Sequence, residues 1–324
     1  MSQFPLPLNK HLTQNSPLVY GCMGLGGQWN DSPVSKDDLS QAHQVIDAAL
    51  EADIRLFDHA DIYTFGKAEQ VFGQVLKERP ELREQISIQS KCGIRFPEGN
   101  LPGRYDSSGD WISQSVDNIL SRLQIETLDV LMIHRPDPLM QAEEVADTFN
   151  RIKQSGKVKH FGVSNMNAAH MQHLQNALPM PLVVNQIEMS LTHLNFLEEK
   201  VSTGSPAPIG NFQAGTIEYC QHHGVQLQAW GSLSQGKLSG GDLSTQPEHI
   251  RHTAKLVEQL AGHYQVSKEA IILAWLMRHP ASIQPIIGST NIERIKACKQ
   301  ANNLVLTREH WYQLYVSARG ERLP

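Results

Sequence analysis

Short apolar runs alternate along this chain with longer segments whose apolar residues recur at helical spacing. "LVYGCMGL" (18–25) is followed by a polar loop and then by "KDDLSQAHQVIDAALEADI", in which Leu39, Ala42, Val45, Ile46 and Leu50 share one helix face. The order repeats with "IRLFDHA" and "AEQVFGQVLKER", "ISIQSK" and "WISQSVDNILSRLQ", and "LDVLMIH" and "AEEVADTFNRIKQSGK". It continues with "HFGVSN" and "NAAHMQHLQNAL", "LVVNQIEM" and "AGTIEYCQHHG", "VQLQAWGSL" and "AKLVEQLAGHYQ", and "IQPIIGS" and "IERIKACKQA". The apolar runs are short, β-branched and nearly unbroken, as parallel strands buried on both faces require. Eight strand–helix units predict an α/β protein, a (β/α)8 TIM barrel spanning 1–324 as a single domain.

Two further helices are expected. "SKEAIILAWLMRHP" opens at Ser267 and closes before Pro280, adding a second helix to the seventh connection. "TREHWYQLYVSARG", with Thr307 as N-cap, is an extra C-terminal helix outside the ring. The longest irregular stretch, 191–213, follows the sixth strand, where a loop of that length is more often functional than decorative.

Composition narrows the function classes. A formal net charge of -5 without a basic block argues against nucleic acid and anionic membrane surfaces as partners. No run of 18 apolar residues occurs, and "MSQFPLPLNKHLTQNSP" lacks the charged-then-apolar order of a signal peptide, so a soluble, cytoplasmic protein is expected. Cys22, Cys92, Cys220 and Cys298 lie far apart with no C-x-x-C pair and are expected as buried, reduced thiols.

In a barrel of this type the active site forms at the C-terminal strand ends. Those ends carry Asp58 and Tyr63, Lys91, His134, Ser164 and Asn165, with Asn185 and Gln186 inside the sixth strand. A lysine ammonium beside a tyrosine favours the phenolate and lowers a pKa that is ordinarily about 10. Asp58 would fix Lys91, and His134 could orient a carbonyl oxygen or relay its proton, a set suited to protonating a carbonyl oxygen as hydride reaches the carbon.

Other patterns fail on inspection. "GLGGQW" has Trp29 where a dinucleotide fingerprint needs its third glycine, and "GSLSQGKL" has Leu238 where a phosphate loop needs a hydroxyl. "HMQH" reads as a solvated helix face, and no metal site is expected.

"FDHADIYTFGKAE", "SKCG", "LMIHRPDP", "FGVSN", "VVNQIEMS", "AWGSLSQGKL" and "IIGSTNIERI" together resemble the successive motifs of the aldo-keto reductases, in order over nearly the whole chain. The resemblance implies an NADP-dependent oxidoreductase that reduces an aldehyde or ketone, with NADPH as cofactor and a small-molecule carbonyl substrate. It makes Tyr63 the general acid and Asp58, Lys91 and His134 the rest of a tetrad. It places Ser164, Asn165 and Gln186 at the nicotinamide carboxamide, and Trp230 against the nicotinamide face, where a tyrosine is commoner. Gly231, Ser232, Leu233 and Gly236 would follow the pyrophosphate. Gly288, Ser289, Thr290 and Arg294 would take the adenosine phosphate, Arg294 selecting NADPH. Ala297 and Cys298 stand where many members carry Glu-Asn. Trp29, Arg95, Phe96 and 191–213 are expected to shape the substrate pocket. The rival expectations are a Lys91 Schiff-base lyase and a non-catalytic, cofactor-sensing subunit. Oligomeric state is left open.

Overall fold

The eight apolar runs form eight parallel strands: β1 (Val19–Gly21), β2 (Leu56–Asp58), β3 (Ser87–Cys92), β4 (Leu128–Ile133), β5 (Val158–Ser164), β6 (Leu182–Glu188), β7 (Gln226–Trp230) and β8 (Gln284–Ile287). Each pairs with its neighbours in sequence, and β1 pairs with both β2 and β8, closing the barrel. The structure is a computed structural model describing residues 5–202 and 212–324.

Local chemistry sets the helices that follow the strands. Lys36–Glu51 opens on a capping box in which Ser35 Oγ accepts from the Asp38 amide and the Asp38 carboxylate accepts from the Ser35 amide. The second helix of the seventh connection, Lys268–Met277, has Ser267 as its cap, and the C-terminal helix, Arg308–Arg319, has Thr307. That last helix lies outside the ring, with Trp311 stacked on Trp275 at 5.4 Å.

Among the described residues, several elements are additional to the sequence pattern, and those at the barrel's two ends matter most. A 3-10 turn, Pro7–Lys10, sends Leu8 and nearby Leu12 into the lumen, against Val19, Leu56, Val130, Met132, Val184 and Ile286. Ile94–Arg95 pairs antiparallel with Arg104–Tyr105 after β3. Within 191–213, Asn195–Val201 is helical, while 203–211 lie outside the described residues. All four cysteines are buried and free, and burial raises each thiol, to about 12 for Cys220 and Cys298. No described helix is long and apolar enough to cross a membrane.

Candidate active site

β2 ends at Asp58, and the chain then turns so tightly that Thr64, Phe65 and Gly66 all have positive φ (46°, 57° and 85°). Left-handed non-glycine residues are strained and persist only where surrounding contacts fix them. Here Thr64 Oγ1 donates to the Leu25 carbonyl at 2.9 Å, and Lys67 Nζ donates to the Gln28 carbonyl and Asn30. Gly26 permits this contact, since a Cβ there would lie 2.6 Å from the Lys67 backbone. The turn holds Tyr63 over the lumen beside Lys91.

Lys91, on β3, is 1% exposed and donates three hydrogen bonds: to Asp58 Oδ2 at 2.8 Å, the His59 carbonyl at 2.7 Å and Tyr63 Oη at 3.0 Å. An ammonium has three N–H groups, so none is left over. Burial depresses the Lys91 pKa, but Asp58 and Tyr63 together outweigh it and leave the group above its ordinary value. His134, just past β4, lies with its ring 6.1 Å from that of Tyr63 in an edge-to-face arrangement. Burial, then Lys91 and Arg135, push its pKa well down, so the imidazole is neutral. The structure thus brings Asp58, Tyr63, Lys91 and His134 to one point.

One expectation is corrected. Lys91 does act to lower the Tyr63 pKa, but burial is the larger effect and Asp58 adds to it, so the phenol sits above its ordinary value. Residue types alone suggest the ammonium's sign; the depth at which the phenol is held decides the balance.

The two other titratable groups of "FDHADIY" separate by environment. The His59 ring is fully buried against Phe72, with neither nitrogen paired, and burial takes its pKa to about 3. Asp61 is half-buried, with its carboxyl raised to about 7 by burial and then by Glu69.

At the ends of β5 to β7 the expected residues also converge. Asn165, at φ 58°, donates to the His134 carbonyl (3.3 Å) and Ser164 Oγ (2.8 Å) and accepts from Trp230 Nε1 (3.1 Å). Ser164 Oγ in turn donates to the Gln186 carbonyl. The donors of Ser164 and Asn165 are therefore engaged within the protein, while Gln186 Oε1 accepts none of the site's hydrogen bonds. Trp230 is held by Asn165 and overlain by the Arg135 guanidinium, 5.8 Å from the ring centroid.

After β7, Gly231 (φ 67°), Ser234 (51°), Gln235 (56°) and Gly236 (79°) wind the chain into a left-handed loop. Ser232 Oγ anchors it to the Ile286 carbonyl at 2.6 Å, and half-buried Leu233 packs on the core. A Cβ on Gly236 would stand 3.5 Å from Arg294 Nη1, so this loop and the arginine border the same space. Gly288 and Ser289 follow β8, and Tyr20 donates its hydroxyl to the Ser289 carbonyl. The helix Ile292–Cys298 begins later than Ser289 and Thr290, with Asn291 capping the Arg294 amide at 3.1 Å. Arg294 is exposed and makes no ion pair among the described residues.

Trp29 and Phe96 stand on either side of Phe65, with ring centroids 5.6 and 5.0 Å away, forming an exposed aromatic wall next to Tyr63. Arg95 is turned onto the Trp111 ring (4.0 Å) and paired with Asp106, so its charge is spent beside a ≈ 460 Å³ cavity behind the Tyr63 turn. Phe65, Trp111 and Arg135 were not singled out by the sequence pattern; nor were the lumen glutamines Gln89, Gln228 and Gln284. A glutamine inside an otherwise apolar parallel strand is the signal that could have found those three. Among the described residues, no group of three His, Cys, Asp or Glu could hold a metal.

The comparisons with known proteins agree with the barrel fold. The family model described as "Aldo/keto reductase family" matches residues 17–315. The chain is 39% identical to Oxidoreductase YdhF of Escherichia coli K12 over 86% of this chain and 88% of that protein. It is 34% identical to a 6-dehydroglucose reductase of Agrobacterium fabrum, over 95% and 96% respectively. Among solved structures, a glycerol dehydrogenase of Gluconobacter oxydans superposes with a TM-score of 0.78 at 22% identity, over 96% of this chain and 94% of that one. An aldo-keto reductase of Klebsiella pneumoniae in complex with NADPH gives 0.72 at 21%, over 96% and 92%. From the barrel, the residues at its mouth and these matches together, the chain belongs to the aldo/keto reductase family.

Proposed function

We propose that this protein reduces an aldehyde or ketone to an alcohol with NADPH, and that Tyr63 delivers the proton. The observation that carries the reading is the closed donor set of Lys91. Tyr63 Oη accepts from Lys91, so the phenol's own O–H is free to be donated to a carbonyl oxygen. Once that proton leaves, the phenolate lies 3.0 Å from an ammonium that Asp58 holds in place.

His134 contributes a hydrogen bond. Its Nδ1 is buried without a partner, and a buried unpaired donor is rarer than a buried unpaired acceptor, so the proton belongs on Nε2. A neutral imidazole with an Nε2–H can donate to the same carbonyl oxygen and orient it.

NADPH, when bound, supplies hydride to the carbonyl carbon. The residues present fit it: Gln186 Oε1 offers an acceptor for a carboxamide N–H2, the left-handed loop through Gly231, Ser232, Leu233 and Gly236 offers a turn of backbone, and Arg294 offers an unpaired guanidinium beside Gly236. Gly288, Ser289 and Thr290 border the same region, while Ser164, Asn165 and Trp230 brace Gln186 and the mouth. Arg294 would favour the 2′-phosphate of NADPH over NADH.

A Schiff-base role for Lys91 is disfavoured, because a nucleophilic amine must be deprotonated, whereas Lys91 is raised in pKa and fully bonded. The relatives' names point to carbonyl-bearing sugars as the substrate class to try first. The test is NADPH oxidation followed at 340 nm over a panel of sugar aldehydes, keto-sugars, aliphatic aldehydes and aryl aldehydes. Turnover with at least one class is expected. NADPH binding without turnover across the panel would support a cofactor-sensing subunit instead, and a borohydride-trapped adduct on Lys91 would support the lyase.

A further inference from the structure

Four glutamines face one another in the barrel lumen directly beneath the site. Register sets them at one level: Gln186 on β6 is paired with Gln228 on β7, Gln228 with Gln284 on β8, and Asp58 on β2 with Gln89 on β3. Paired residues on neighbouring parallel strands point to the same face, so these side chains meet. Gln89, Gln228 and Gln284 are fully buried and Gln186 nearly so.

Their hydrogens can all be accounted for. Gln89 Nε2 donates to Asp58 Oδ1 (2.7 Å) and Gln228 Oε1 (2.8 Å). Gln186 Nε2 donates to the same two acceptors, at 2.6 and 2.9 Å. Gln228 Nε2 donates to Gln89 Oε1 (3.2 Å) and Gln284 Oε1 (2.9 Å), and Gln284 Nε2 to Asn15 Oδ1 (2.9 Å) and the Ser16 carbonyl (2.6 Å). Each amide has two N–H groups, and every one is placed. The orientations are dictated from the ends, since a carboxylate and a backbone carbonyl can only accept. Turning Gln89 or Gln186 over would set an amide oxygen against the Asp58 carboxylate. Among the four amide oxygens, only that of Gln186 accepts nothing from the array.

We propose that Gln89 and Gln228, anchored through Gln284 to Asn15 and Ser16, are positioning residues that hold both Asp58 and Gln186 in their working orientations. Asp58 Oδ1 takes two amide donors, which leaves Oδ2 for Lys91. Gln186 has both hydrogens turned into the lumen, which leaves its oxygen for a donor at the mouth. One array thereby links the proton side of the site to the cofactor side. The inference rests on the function proposed above.

The titratable groups that interact with Asp58 are Lys91 on β3, Tyr63 after β2 and Cys22 after β1, and Lys91 in turn acts on His59 after β2, His134 after β4 and Glu69 on the helix that follows the Tyr63 turn. Replacing Gln89 by Met keeps the length and removes the donor. Asp58 then either repels the phenolate more strongly or takes the Lys91 proton and cancels the ammonium; both make the phenolate less stable. The basic limb of the kcat profile against pH should therefore move up by about half a unit or more, with kcat down about tenfold. Gln228→Met, which frees one hydrogen on both Gln89 and Gln186, should shift the same limb and also weaken NADPH binding, read by fluorescence quenching. The control is Gln226→Met: Gln226 is buried on the same strand but bonds the Leu227 and Ser282 carbonyls, outside the array. It should lower the melting temperature without moving the profile. Should Gln89→Met not fold, Gln228→Met reads the same limb. An unmoved limb in the folded variants, with melting losses like that of Gln226→Met, would overturn the inference while leaving wild-type carbonyl reduction intact. Absence of wild-type turnover would instead strike the functional proposal.

Discussion

The proton side and the phosphate side of this mouth are built on opposite plans. Around Lys91 the charges are buried and the ammonium is fully matched: Lys91 is 1% and Asp58 2% exposed, and the ammonium's three hydrogens go to three fixed acceptors. Across the mouth, Arg294 is exposed and unpaired among the described residues, beside a loop in which Ser234 and Gln235 hold left-handed backbone. A group that must stabilise charge during a reaction gains most when it is dry and fixed beforehand. A group that must capture and release an anion does better with its donors unspent. Changes on the proton side should therefore disturb stability and rate together, and changes on the phosphate side should alter affinity alone.

The largest effect is expected from Lys91→Met. It removes the ammonium that favours the Tyr63 phenolate, so the rate should fall about a hundredfold or more and the basic limb of the pH profile should move upward. It also leaves Asp58 without its ion-pair partner, a loss of roughly 3–5 kcal/mol for a buried pair. Melting curves and pH-rate profiles measured on one preparation check both; an unchanged profile would break the coupling between Lys91 and Tyr63.

Arg294→Ala should act only on binding. A charge-assisted hydrogen bond contributes roughly 1.5–3 kcal/mol, so NADPH affinity should fall about tenfold to a hundredfold while NADH affinity and melting temperature hold. Titration of both cofactors against both proteins decides it. Equal losses would mean that Arg294 supports its helix and that the phosphate is held elsewhere.

The smallest effect on activity is expected at Asp61, a carboxyl on the proton side that lacks the matched partners of Asp58. Its pKa is raised from 3.8 to about 7, chiefly by burial. Between those values the folded protein keeps a proton that the unfolded chain has lost, so this group makes stability fall as pH rises. Asp61→Asn should raise the melting temperature at pH 8, with the gain shrinking below pH 7 and vanishing near pH 4. A gain independent of pH would point to shape instead of charge.

The barrel was legible because parallel strands buried on both faces must be continuously apolar, and a polar residue such as Asp58, Lys91 or His134 at the end of such a run stands out. The lumen glutamines were not. Gln89 on β3 and Gln228 on β7 are not on neighbouring strands, and only closure of the ring brings them into contact. The Ile94–Arg95 and Arg104–Tyr105 pair is too short for alternation to register, and Leu8 acquires its role only when it enters a lumen formed by distant strands. The direction of the Tyr63 shift depends on depth of burial, which spacing along the chain does not encode.

The central claim, that Tyr63 is the proton donor of a carbonyl reduction, is tested most directly by Tyr63→Phe in single-turnover stopped flow with NADPH-loaded enzyme and a carbonyl that the wild type reduces. Loss of the phenol O–H should slow NADPH oxidation about a hundredfold to ten-thousandfold while NADPH affinity changes less than about twofold. Oxidation at the wild-type rate in the variant would contradict the claim and move the acid to another group at the mouth.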